Sequence, residues 1–171
     1  TNVLAGATNS KTYTCEILYT DPGTGLDLTY KTSITISRIS NSAGVTVPVV
    51  MAPLGNIFKN SSGPALKAKS ELWRGGALDS SSLTYQWYKM DSSVLVDQGG
   101  GIGWLKLLTT ATGGGTTGWT AAELVIPATA IDGTATFKVG IKDTDTASPT
   151  LNQTFYTTIS FVDQTDPIQV I

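Results

Sequence analysis

The residues that could do chemistry are few and far apart. Histidine is absent from the 171-residue chain and cysteine occurs once, as Cys15. That removes imidazole as a general base or zinc ligand, and it leaves no thiol pair for a disulfide or a cysteine-type metal site. Asp143 and Asp145 in KDTDTAS, and Asp163 and Asp166 in FVDQTDP, are the carboxylates whose turn-like surroundings could offer oxygen ligands to calcium. Glycosidase chemistry needs an acid and a base facing each other across a cleft, which carboxylates spread over turns do not supply. Trp104 and Trp119 lie in a glycine-rich stretch, where flat exposed rings could stack on sugars or could simply pack within a long hairpin. The run GGGIG at Gly99 to Gly103 lacks both the GK[ST] continuation and the following helix of a phosphate loop, so it reads as glycine turns. No catalytic site and no cofactor are expected, with calcium the single metal to test.

The elements that must position these groups are strands. Aliphatic and aromatic residues make up 40% of the chain, enough for a packed core. Charged residues make up only 14% and nearly cancel at −2, so no basic face suggests nucleic acid and no cationic helix suggests a membrane surface. No run of 18 apolar residues is present. Leu66, Ala68, Ser70 and Leu72 alternate with Lys67, Lys69, Glu71 and Trp73, the two-residue period of a half-buried strand. Further strands are predicted at Lys11 to Tyr19, Leu28 to Ser37, Val47 to Met51, Leu83 to Met90, Glu123 to Ile126, Thr134 to Lys142 and Phe155 to Val162. Two short ones are predicted around Val94 to Asp97 and Gly103 to Leu108. Trp87, Leu72, Leu124, Ile126, Phe137, Val139 and Ile159 are expected to share one core.

A long repeat divides the chain. Tyr13, Cys15 and Ile17 superpose on Phe137, Val139 and Ile141 at a separation of 124 positions, and Tyr30, Ile34 and Ile36 superpose on Phe155, Ile159 and Phe161 at 125. A period of this length is that of a domain. Residues 1–46 are therefore expected to be the last two strands of one module plus a connector, and residues 47–171 a complete module with its exit linker, the whole being a segment of something longer. Cys15 is expected to be buried as a small hydrophobe on the inward face of its strand. A lone hairpin is marginal in water, so Tyr13, Cys15, Ile17, Ile34 and Ile36 are expected to pack against upstream polypeptide or a neighbouring subunit, or else to extend the complete module.

With these strands in place, YQWYK at Tyr85 to Lys89 resembles the third strand of an immunoglobulin-like domain, whose tryptophan sits in the core. Leu124-x-Ile126, then Asp132-Gly133, then Phe137-x-Val139 is similar to the corner before the sixth strand, with Phe137 in the place of the corner tyrosine and Val139 in that of the second cysteine. The phrases GNIFKN at Gly55 to Asn60 and FVDQTDPIQVI at the C-terminal end resemble junctions in the immunoglobulin-like repeats of phage tail and other virion proteins. The resemblance implies an all-β, immunoglobulin-like antiparallel Greek-key sandwich. It also implies an extracellular, virion-borne role, as a non-enzymatic structural and adhesive spacer with weak host-surface contacts. The implied partners are other subunits of a virion or surface assembly and host cell-surface glycans, with no nucleic acid and no membrane insertion. A dedicated carbohydrate-binding module using Trp104 or Trp119, and a bacterial surface adhesin, stay open as alternatives.

Overall fold

The computed structural model describes residues 10–20, 22, 23, 25–37 and 45–164. The chain divides into two compact units, Thr1–Ser42 and Ala43–Ile171.

The smaller unit is a two-stranded antiparallel hairpin, β1 (Ser10–Thr20) and β2 (Asp27–Ser37). The Pro22-Gly23 and Gly25 chemistry between them turns the chain, with Gly25 at φ +69°. Tyr13 pairs with Ile34, Cys15 with Thr32 and Ile17 with Tyr30. Cys15, expected to be buried once its module is complete, is exposed in this chain. A two-stranded sheet has no second layer of its own, and Ile17 and Ile34 are 57% and 65% exposed. The side chains of Tyr30 and Ile36 lie outside the described residues.

The larger unit is an all-β sandwich. One sheet runs β4 (Ile57–Lys59), β11 (Thr154–Gln164), β10 (Thr134–Asp143), β7 (Leu83–Met90), β8 (Trp104–Lys106). The facing sheet is built on β5 (Leu66–Arg74), flanked by β3 (Thr46–Met51) and by β6 (Ala77–Asp79) and β9 (Glu123–Ile126). All pairings are antiparallel except that of β4 with β11. Alternation drives the layering: Leu66, Ala68 and Leu72 of β5 and Leu124 and Ile126 of β9 point at Trp87 of β7, Phe137, Val139 and Ile141 of β10 and Phe161 of β11. Ile159 packs against this cluster while partly exposed, so the predicted core is the observed one. Phe137 and Phe161 meet edge to face at 6.1 Å between ring centres.

Sequence periodicity places the long strands within a residue or two of where they stand. It misses β4 and β6, each of three residues, because three residues do not establish a period. The predicted strand at Val94 to Asp97 is irregular instead, following a turn at Ser92 and Ser93. The Asp91 carboxylate accepts the N–H of Ser93 at 2.9 Å and that of Asp97 accepts the N–H groups of Gly99 and Gly101, each at 2.7 Å, so local side-chain capping takes the backbone away from a ladder. Val94 is buried while Leu95 and Val96 are 77% and 75% exposed, which no strand alternation produces.

Beyond β8 the chain makes one helical turn, α1 (Thr110–Gly113), capped by the Thr109 hydroxyl. It then crosses between the sheets as a strap. The carbonyl of Trp119 accepts the Trp87 backbone N–H at 2.9 Å, the carbonyl of Ala121 accepts the Trp87 indole N–H at 2.9 Å, and the carbonyl of Ala122 accepts the Ser70 amide and hydroxyl, both at 2.8 Å. The strap therefore satisfies buried donors on both sheets at one edge of the sandwich.

Candidate functional site on the outer face of the five-stranded sheet

The two tryptophans singled out from the sequence fall in different environments. Trp119 belongs to the strap, where it packs against the core and donates its indole N–H to Thr116 Oγ1 at 3.2 Å. Trp104 is on β8, paired with Met90, and faces outward. The Lys138 ammonium sits 3.8 Å from the centre of its ring and 5.7 Å from that of Tyr156, and donates to the Gly100 carbonyl at 2.6 Å. Burial lowers the Lys138 pKa, and the nearby Asp97 carboxylate works against that shift. The ammonium thus holds the glycine turn onto the sheet and covers the ring that a sugar would stack on.

The candidate calcium ligands are occupied within the protein. Asp143 ends β10 with its carboxylate fully buried; it accepts from Arg74 Nη2 at 2.7 Å, from Thr150 Oγ1 at 2.7 Å and from the Asp145 N–H at 2.9 Å. Burial would raise its pKa, but hydrogen bonds from Ser148, Thr150 and the Asp145 amide, with the Arg74 guanidinium, outweigh this and lower it to about 2. Arg74 also binds Asp79 at 2.5 Å and the Thr150 hydroxyl, and lies over the Phe155 ring at 6.0 Å. Asp145 accepts the Ala147 N–H at 2.9 Å, a turn contact. Asp163 receives the Ser61 N–H on both oxygens at 2.9 Å and the Ser61 hydroxyl at 2.5 Å, which pins a turn where Asn60 and Ser61 hold positive φ. Asp166 lies outside the described residues. Among the described residues no three metal-ligating side chains converge.

A concave site does form on the outer face, from residues that the sequence reading did not single out. Alternation sends Thr84, Gln86 and Tyr88 of β7, Lys138, Gly140 and Lys142 of β10, and Thr154 and Tyr156 of β11 away from the core. All of these but Lys138, with Lys106 of β8 and Gly99, line a groove of about 220 Å³. Gly140 makes its floor: a Cβ there would stand 2.9 Å from Tyr156 Cε1, so the Tyr156 ring lies directly on the glycine backbone. The turn carrying Gly99 forms one wall. It is shaped by Asp97 and held by the Tyr156 hydroxyl, which donates to the Gly99 carbonyl at 2.7 Å, and by the buried Tyr88 ring against Gly100. Hydrogen bonds from the Gly101 and Gly99 amides lower the Asp97 pKa, and burial raises those of Tyr88 and Tyr156, which stay neutral phenols at physiological pH. Lys106 and Lys142 make no ion pair among the described residues. The signal that could have located this face is the outward half of each strand's period, which pattern reading treats as solvent-exposed filler.

Compared with protein-family models, with curated proteins and with solved structures, the chain matches none of them.

Proposed function

We propose that this chain belongs to a tandem array of immunoglobulin-like modules, a non-enzymatic spacer that projects from a phage virion, on its tail, and makes weak contacts with the host surface. The observation that carries the tandem reading is a shared register. In β10 and β11, Phe137 pairs with Ile159, Val139 with Thr157 and Ile141 with Phe155. In β1 and β2, Tyr13 pairs with Ile34, Cys15 with Thr32 and Ile17 with Tyr30. Displaced by 124 and 125 positions, the two hairpins are paired residue for residue alike, as two copies of the last strand pair of one module would be. The strand order supports the finer fold: β3, β5 and β9 form one sheet and β7, β10 and β11 the other, the division of an immunoglobulin-like sandwich, with Trp87 on the strand that carries its core tryptophan. The phage assignment rests on the junction phrases GNIFKN and FVDQTDPIQVI, and avidity over many copies is how weak contacts of such an array would hold.

Thiol reactivity tests the tandem reading. On the tandem reading, a chain lengthened at its N-terminus by the remaining strands of the first module should cover Cys15 and slow its reaction with a disulfide reagent at least 100-fold relative to the present chain. Equal rates in the two chains would remove the reading. Immunogold labelling with antibodies to residues 45–164 tests the virion assignment: tail decoration is expected, and unlabelled particles contradict it.

A further inference from the structure

We infer that the groove on the outer face of the five-stranded sheet binds a single carboxylated sugar, a uronic-acid residue of an acidic polysaccharide. The inference deepens the proposed adhesive role and rests on it for its surface setting, by naming where the contact is made and with what.

Size limits the occupant first. At about 220 Å³ the groove falls below the ~300–1,000 Å³ of sites for drug-sized ligands, so it accommodates one ring or one short side group. Its chemistry is mixed in the way a sugar requires. The Tyr156 ring, 45% exposed, offers an apolar surface, and Thr84, Gln86 and Thr154 line the groove with groups that hydrogen-bond hydroxyls. The Gln86 amide nitrogen is already committed to the carbonyls of Trp87 at 3.0 Å and Leu107 at 2.9 Å, which fixes that side chain in place before any ligand arrives.

Charge selects among sugars. Lys106 and Lys142 reach the groove without ion-pair partners among the described residues. Lys138 adds a third ammonium beside it, and the acid of the adjoining turn is Asp97, its carboxylate turned to the Gly99 and Gly101 amides. Three positive groups against one negative leave this patch at +2 on a chain whose net charge is −2. An excess of the opposite sign, held at a preformed concavity, recognises an anion by charge-assisted hydrogen bonds. The walls are also rigid: the Tyr156 hydroxyl and the Lys138 ammonium both tie the glycine turn down, so binding orders little.

The test uses the full 171-residue chain, with galacturonate trimer and its fully methyl-esterified, uncharged counterpart as probes, titrated by amide NMR at low salt. The acid should shift the amides of residues 84–88, 140–142 and 154–156 and bind at least tenfold more tightly than the ester. Lys106→Gln together with Lys142→Gln should abolish that preference while leaving the melting temperature unchanged, since neither side chain joins an ion pair among the described residues. Equal affinity for acid and ester, or an undiminished preference in the double variant, would overturn the inference. So would equal affinity for a single-stranded oligonucleotide of the same charge, which would show attraction to any polyanion. Cys15 protection in the lengthened chain is independent of these readouts, so failure of the groove and failure of the tandem array are told apart.

Discussion

Asp143 shows how a residue suited to a metal is turned to structural use. Its carboxylate is removed from water at the end of β10, yet Arg74, Thr150 and the Asp145 amide give it enough donors to remain charged, with a pKa of about 2 against an ordinary 3.8. A carboxyl whose pKa is depressed by folding contributes stability that is complete above the unfolded value and is lost as pH falls through the folded one. The drop from 3.8 to about 2, at ~1.4 kcal/mol per pH unit, makes that contribution roughly 2.5 kcal/mol. Stability measured by urea unfolding should therefore decline between pH 4 and pH 2, and Asp143→Asn should lower stability at pH 7 and remove most of that decline. An unchanged acid limb in the variant would show that another carboxylate governs it. In the sequence Asp143 was visible as a turn carboxylate; its partner Arg74, 69 positions away, was not, because only the docking of β5 near β10 brings them together.

Among the elements, the strap from Thr116 to Ala122 depends most on a single backbone geometry. Gly118 holds φ +86°, and a Cβ there would lie 2.3 Å from the Glu123 carbonyl oxygen. Gly103 holds a similar φ of +81° with nothing near its Cβ position. Alanine at Gly103 should then cost only the left-handed backbone strain, about 1 kcal/mol, whereas Gly118→Ala adds a clash with backbone that cannot swing aside and should cost about 3 kcal/mol or more. Chemical-denaturation midpoints of the two variants make the comparison; equal losses would mean the strap gives way freely. Periodicity made β5, β7, β9, β10 and β11 readable, since each buries one face. The strap has no period, because its carbonyls rather than its side chains do the joining, and a glycine-rich run looks the same whether it flaps or crosses a sandwich edge. The sequence leaves Trp119 open to surface stacking or to packing within the glycine-rich stretch, and it packs on the core.

For the larger unit as a whole, Trp87 links the parts: its side chain sits in the core between the sheets, its indole N–H reaches the strap, and its neighbours on β10 carry the opposite ladder. Trp87→Ala should cost roughly 3–5 kcal/mol, the range for deleting a core aromatic, and should weaken both sheets together, so that circular dichroism and fluorescence of the remaining tryptophans lose structure at one lowered midpoint. A loss below about 1 kcal/mol would contradict the central position of this ring. The sequence by itself determined the class of fold, the long strands and the membership of the core, since all of these are written in alternation, which is local in the chain. The tertiary structure alone decided that Cys15 is exposed, that Asp143 and Asp163 are committed to Arg74 and to a turn, and that Tyr156, Lys106 and Lys142 meet around Gly140. Those outcomes depend on which strands become neighbours. Hydrogen-bonded pairing brings together residues tens of positions apart, and no pattern along the chain records where one outward face will meet another.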